Sequence, residues 1–181
     1  MTTGTLFTIS LGTNGDSWNG VTGVERIPVS VMTPPASGIV KVRLRLQAST
    51  SENFTITNAY IGHRAASGDA YDFATTPVQL LFGGSGSKVI AANTEEWSDW
   101  ANFAYNKTSD FLLSFYCAGG ASSDALRWTA SATSMSDYEK TANDAATVDK
   151  SGYSTNNNVI VLVNTIEYET ADADGNFFPF F

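Results

Sequence analysis

From Pro77 to Cys117 the chain sets short apolar runs between clusters of Gly, Ser, Asn and Asp. No segment there keeps a 3.6-residue apolar period long enough for a helix. Strands separated by turn chemistry at this spacing predict an all-β fold, an antiparallel β-sandwich of jelly-roll type. Ile39–Gln47 is the clearest strand: Val40, Val42, Leu44 and Leu46 face one way, and Lys41, Arg43 and Arg45 the other. One face is core and one is wet, as an outer-face strand requires. Phe111–Cys117 is apolar almost throughout and reads as a central strand.

The remaining elements follow the same grammar. Leu6–Leu11 reads as a first strand with Phe7 and Ile9 on one face, and Gly12–Gly23 as a turn-rich loop carrying an exposed Trp18. Arg26–Met32 is strand-like, and Pro28 assigns it to an edge. Strands are also expected over Phe54–His63, Val78–Phe82, Lys88–Ala92, Glu96–Tyr105, Leu126–Ala130 and Val159–Glu169. Arg64–Thr76 reads as an irregular loop whose composition suits a binding surface. Ser131–Asn158 is a polar gap with room for one short helix. The 181 residues fit a single domain, 1–170, followed by a tail, 171–181.

Charge excludes some functions. Charged residues are 15% of the chain and the formal net charge is -8, which argues against nucleic acid and anionic membranes as partners. The one basic run, Lys41, Arg43 and Arg45, reads as the solvated face of its strand. No apolar run is long enough to span a bilayer, and the first residues lack a basic and apolar leader. The expectation is a soluble chain not exported by a cleaved signal.

Catalytic chemistry is sparse. Cys117 is the sole cysteine and His63 the sole histidine; the thiol reads as a small buried hydrophobe. Gly15-Asp16-Ser17 looks like the nucleophile block of the SGNH hydrolases, but the βαβ pattern is missing and the C-terminal His of that family has no counterpart, so turn residues explain it better. Glu95, Glu96 and Asp99 beside Trp97 and Trp100 mix acids with stacking surfaces, yet nothing in the spacing sets two carboxyls across a cleft as a glycosidase needs. Asp172, Asp174 and Asn176 around Gly175 echo part of a calcium loop but lack the glycine at its sixth position and the bidentate glutamate at its twelfth. No enzyme, metal or cofactor is expected.

Binding chemistry is more visible. Trp128, within Leu-Arg-Trp-Thr-Ala, reads as a strand residue with a buried ring. Trp18, Trp97 and Trp100, with Tyr71, are the candidates to stack on sugar faces or fill a partner's pocket. The tail Phe177-Phe178-Pro179-Phe180-Phe181 is the sharpest anomaly. Four Phe need cover from water, and Pro179 keeps them out of regular structure. A neighbouring subunit is the favoured cover.

The block Lys41–Cys117 resembles the jelly-roll-like β-sandwich domain that precedes the catalytic domain in some SGNH hydrolases. The likeness rests on V-R-L-R-L at 42–46, I-T-N-A-Y-I-G at 56–62, L-L-F-G-G-S-G-S-K-V-I at 80–90, E-W-S-D at 96–99 and F-L-L-S-F-Y at 111–116. It brings no catalytic residue. Free-standing domains of this kind are similar to proteins that decorate the heads or tails of tailed-phage virions; neither pattern requires the aromatic tail. Together these imply a non-enzymatic virion component, assembled in the host cytoplasm and docked through Phe177–Phe181 on other virion proteins or on further copies of itself. The competing expectation is a carbohydrate-binding module that recognises a cell-surface glycan through Trp18, Tyr71, Trp97 and Trp100.

Overall fold

A computed structural model of the chain describes residues 1–15, 18–119, 125–130 and 132–171. The strands, in chain order, are β1 (Thr3–Thr8), β2 (Thr13–Gly15), β3 (Val21–Ile27), β4 (Ile39–Gln47), β5 (Phe54–Ile56), β6 (Asn58–His63), β7 (Val78–Gln79) and β8 (Lys88–Ile90). They continue as β9 (Glu95–Trp97), β10 (Ala101–Asn102), β11 (Phe111–Cys117), β12 (Leu126–Thr129), β13 (Ser136–Lys140), β14 (Ser154–Asn157), β15 (Ile160–Val161) and β16 (Val163–Thr170). Every pairing between them is antiparallel. The fold is an antiparallel β-sandwich.

One sheet runs β1-β16-β4, with β10 and β9 both pairing the far side of β4. The other runs β14-β13-β3-β11-β6-β7. A single core joins them, with Val42, Leu44, Leu46 and Ile166 from the first sheet and Ile27, Ile61, Phe111, Leu113 and Phe115 from the second. A third sheet, β15-β12-β2, continues the first through the Ala48–Leu126 bridge and the bond from Leu162 N–H to Arg127 O. The β5–β8 pair adds Phe54, Ile56 and Ile90 to the core.

β4 has its expected bounds, and β11 lies between β3 and β6 near the middle of its sheet. Val40 departs from its expected face. Ile39 is buried instead, because the pairing of β4 with β16 shifts register between Glu169 and Thr170. Pro28 does not mark an edge strand. It ends β3, whose residues come before it, and a 3-10 turn at Val29–Val31 follows. β3 itself is an interior strand, starting inside the segment read as a loop. Asn14 and Gly15 belong to β2 rather than to a turn; Asp16 and Ser17 lie outside the described residues. The 131–158 gap holds β13 and β14, and no α-helix occurs among the described residues.

The 64–76 loop is a cover for the outer face of the second sheet. Tyr71 and Phe73 pack there on Val24, Leu112 and Tyr138. Gly62 makes room for this, since a Cβ would lie 2.5 Å from Phe73 Cδ1. Lys150 is buried beneath the loop with its ammonium 3.8 Å from the centre of the Phe73 ring, and burial pushes its pKa down to about 8.

Candidate functional site

Alternation along β3 puts Gly23, Glu25 and Ile27 on the inner face of the second sheet. Alternation along β13 does the same for Asp137 and Glu139. One cross-strand row therefore reads Ile61, Leu113, Glu25, Asp137, Asn156 from the centre of the sheet to its edge. The next row reads Ala59, Phe115, Gly23, Glu139, Ser154. Positions that alternation reserves for apolar side chains are thus acidic at the β14 edge. The gap left by Gly23 is filled from the loop before β3. A Cβ at Gly23 would lie 2.1 Å from Trp18 Cζ3, and the Trp18 ring stacks on Phe115 at 5.2 Å.

Across from these rows stand Val161 of β15 and Trp128 of β12. Between the two layers is a pocket of about 160 Å³ lined by Trp18, Trp128, Asp137, Glu139, Asn156, Val159 and Val161. Trp18 and Asp137 are buried at its floor, whereas Trp128, Glu139 and Val159 are half-buried and Asn156 is exposed. The pocket is therefore a one-sided recess at the edge of the sandwich.

Its polar groups are bonded in a definite way. Val161 N–H donates to Glu25 Oε2 at 3.0 Å. Asn156 Nδ2 donates to Asp137 Oδ2 at 3.0 Å and to Glu139 Oε1 at 2.7 Å. Glu25 Oε1 and Asp137 Oδ1 have no donor, although both side chains are wholly buried. Burial, and then the neighbouring carboxyl groups, push the pKa of Glu25 well up, and burial does the same to Asp137. Two carboxyls paired across adjacent strands hold one proton between them more readily than they carry two charges. A short backbone irregularity sits beside them. Leu162 takes φ +64°, held by Leu162 N–H to Arg127 O and Gln47 N–H to Leu162 O, and it separates β15 from β16. A buried leucine in that region costs roughly 1 kcal/mol or more.

The expected glycan-binding residues are dispersed. Trp18 is not an exposed loop residue: it is 3% exposed, because the Gly23 gap and the Phe115 face receive it. Tyr71 is also buried, packed against Tyr138 and Tyr153 with its hydroxyl donating to Asp69. Trp97 and Trp100 sit half-buried on the outer face of the first sheet, where both rings meet the Arg43 guanidinium, at 4.4 and 4.6 Å. Trp100 also lines a shallow groove with Gln79, Leu81 and Asn102. Trp128, expected as a buried ring, is the half-exposed wall of the pocket. Phe177, Phe178, Pro179, Phe180 and Phe181 lie outside the described residues, as do Asp172, Asp174 and Asn176.

The other charged candidates have structural partners. Lys41, Arg43 and Arg45 pair with Glu169, Glu167 and Glu95, so the basic strand face is laced with acids. Glu96 pairs with Lys88, and the Asp99 carboxylate accepts the N–H groups of Gly83 and Gly84 at 3.0 and 2.7 Å. His63 stacks on Phe103 and Tyr105, accepts Asn106 N–H at Nε2, and has its pKa lowered by burial. It pairs with Phe111, at the opposite end of β11 from Cys117. Six strand residues span roughly 20 Å, so the thiol and the imidazole do not meet.

Asp137 and Glu139 carry a readable signal in the sequence, two acids flanking Tyr138 at strand spacing. Glu25 does not, because an acid next to Arg26 reads as a surface pair. Compared with known proteins, the chain matches no protein-family model, and no curated protein matches it in sequence.

Proposed function

We propose that this chain is a non-enzymatic binding module that takes a glycan residue in the recess between Trp18 and Trp128. The observation that carries the reading is the make-up of that recess: an indole wall, a carboxyl floor and an amide at the mouth, at the edge of a sheet. Sugars offer an apolar ring face to an indole and hydroxyl donors to carboxylate oxygens. The volume admits a single sugar ring.

The test is glycan binding by the wild type and by two sets of variants, with thermal unfolding measured in parallel. Trp128→Ala and Asn156→Ala should each weaken binding about tenfold or more, the scale of losing one well-packed aromatic or its orienting partner. The Trp97→Ala, Trp100→Ala double variant should lose about 2 kcal/mol of stability, because Arg43 loses both indoles, and should keep its affinity. Binding lost in the double variant and kept in Trp128→Ala would place the glycan on the outer face and overturn the pocket.

The second reading concerns where such a module works. We propose that it is a surface component of a tailed-phage virion, docked through Phe177–Phe181. The resemblance of Lys41–Cys117 to accessory β-sandwich domains supports it. So does the way the chain leaves the sandwich: Thr170 N–H bonds Thr2 O and Ala171 N–H bonds Gly38 O, which anchors the start of the aromatic tail at the sheet end. Deleting Phe177–Phe181 should abolish incorporation into particles while the sandwich stays folded. Normal incorporation of the truncated chain would remove the tail from docking.

A further inference from the structure

We propose that Arg64, Thr108 and Ser109 form a binding site for a tetrahedral oxyanion, the phosphate or sulfate group of a ligand. The site is separate from the recess of Trp18 and Trp128 and does not depend on it.

The first support is an arginine left over after the other cations are paired. Lys41, Lys88, Lys140, Arg26, Arg43 and Arg45 each meet a carboxylate. The side chains of Lys107, Lys150 and Arg127 donate to main-chain carbonyls. Among the described residues only the Arg64 guanidinium meets no acceptor, and its Nε is covered from solvent as well. A covered donor without an acceptor is unfavourable. With Nε covered, the terminal N–H groups are the ones a ligand can reach. Their fork takes two oxygens of one anion.

The second support is where that arginine stands. Arg64 directly follows β6 and lies two residues beyond Gly62, so it shares the outer face of the second sheet. Its main-chain N–H bonds Asp110 O, which sets Asp110 beside it just before β11. The Asp110 carboxylate is already taken. Arg26 Nε donates to Oδ2 at 2.7 Å, and Val29 N–H donates to Oδ1 at 3.1 Å. Two arginines thus flank one carboxylate, and Arg64 leaves a surplus positive charge on a chain whose formal net charge is -8.

The third support is the hollow in front of it. Arg64, Ala65, Ala66, Thr108, Ser109 and Asp110 line a space of about 190 Å³. Ser109 Oγ accepts the Asn106 side-chain amide at 3.0 Å, which leaves its own proton to donate. Thr108 bonds Asn106 through its main-chain N–H, and its hydroxyl is free to donate as well. Asn106 Oδ1 accepts the N–H groups of both Thr108 and Ser109, so one turn presents the two hydroxyls together. The donors therefore come from two chain segments, the guanidinium from one and the hydroxyls from the other. A tetrahedral group offers separate oxygens to each segment, whereas a carboxylate has only two and sets both along one edge.

The experiment follows the Arg64 Nε–H signal and the Thr108 and Ser109 amide signals of the full chain in proton–nitrogen spectra. Sodium chloride is replaced stepwise by sodium phosphate, sulfate or acetate at constant ionic strength. Phosphate and sulfate should each shift these signals saturably, at least tenfold more tightly than acetate, and the tighter of the two names the ester that the site prefers. Arg64→Gln should weaken this binding about tenfold or more, the scale of losing a charge-assisted pair. Arg64→Lys keeps the charge without the fork and should recover only part of it. Thr108 is exposed, so Thr108→Ala keeps the fold even if an Arg64 variant does not, and it should weaken binding about threefold, the low end for one hydrogen bond. Acetate matching phosphate overturns the tetrahedral group in favour of a carboxylate ligand. No saturable shift in the wild type, or shifts that persist unchanged in Arg64→Gln and Thr108→Ala, overturns the site.

Discussion

Gly23→Val should destabilise the protein by about 3–5 kcal/mol, the range for losing a buried large aromatic from a packed core. Trp18 lies in the space that the missing side chain leaves. A Cβ there would approach Cζ3 to 2.1 Å and Cη2 to 2.4 Å, and the Phe115 ring to 3.1 Å. The indole cannot yield by a few tenths of an ångström, because Phe115 backs its face at 5.2 Å with the rings 17° from parallel. It must leave the stack, which opens the core at β3–β11 and removes the floor of the recess. Denaturant titration reads the stability, and near-ultraviolet circular dichroism reads the tryptophan environment. Gly12→Ala is the control. No atom lies within 4 Å of its Cβ position, and its effect should stay within about 0.5 kcal/mol. A Gly23→Val protein as stable as the control would mean that Trp18 is not seated on β3.

The buried acid pair makes the second large effect, and it depends on pH. Glu25 and Asp137 both hold protons more tightly in the folded chain than in the unfolded one, because burial disfavours their charge. The folded state therefore binds more protons than the unfolded state above about pH 4, the ordinary carboxylate range. Stability from this source is complete below that range and falls as pH rises through the raised folded values. Every tenfold gain in proton affinity on folding is worth about 1.4 kcal/mol, so a carboxyl buried this deeply moves stability by several kcal/mol. His63 works the other way below its ordinary pKa: burial lowers its folded value, so acid favours the unfolded state there. A comparison of two proteins separates the contributions. Glu25→Gln retains an acceptor for Val161 N–H and gives Asp137 a permanent donor. Wild type should lose stability from pH 5 to pH 8 relative to Glu25→Gln, and the variant should be the more stable of the two at pH 8. Parallel stability curves across that range would mean that the pair is not proton-linked to folding.

These two sites also mark where sequence reading stops. β4 is legible because the alternation from Val40 to Gln47 sets apolar residues against polar and charged ones. β11 is legible because seven residues that are apolar except for Ser114 fit a strand covered on both sides. Trp18 misleads for a physical reason. A tryptophan among glycines reads as exposed, and its burial depends on a hole in a strand five residues later, beside a Phe that pairs with that strand. β13 and β14 are hidden by chemistry. Their inward positions hold Asp137, Glu139, Asn156 and Ser154, so the apolar alternation that reveals a strand is replaced by polar groups. That substitution is what builds the recess: the element least readable as a strand is the one that carries the candidate site. Trp97 and Trp100 lie by a strand, as their sequence setting implies, yet their partner is an arginine distant in the chain and adjacent in space.

The most direct measurement follows the four indole N–H resonances in proton–nitrogen spectra while a glycan oligomer is added. The chain has four tryptophans, two at the recess and two on the opposite sheet's outer face, so the spectrum separates the surfaces without mutation. The expected result is saturable shifts of the Trp18 and Trp128 signals, with those of Trp97 and Trp100 fixed. Shifts confined to Trp97 and Trp100, or no shift in any of the four, would contradict a glycan site in the acid-floored recess.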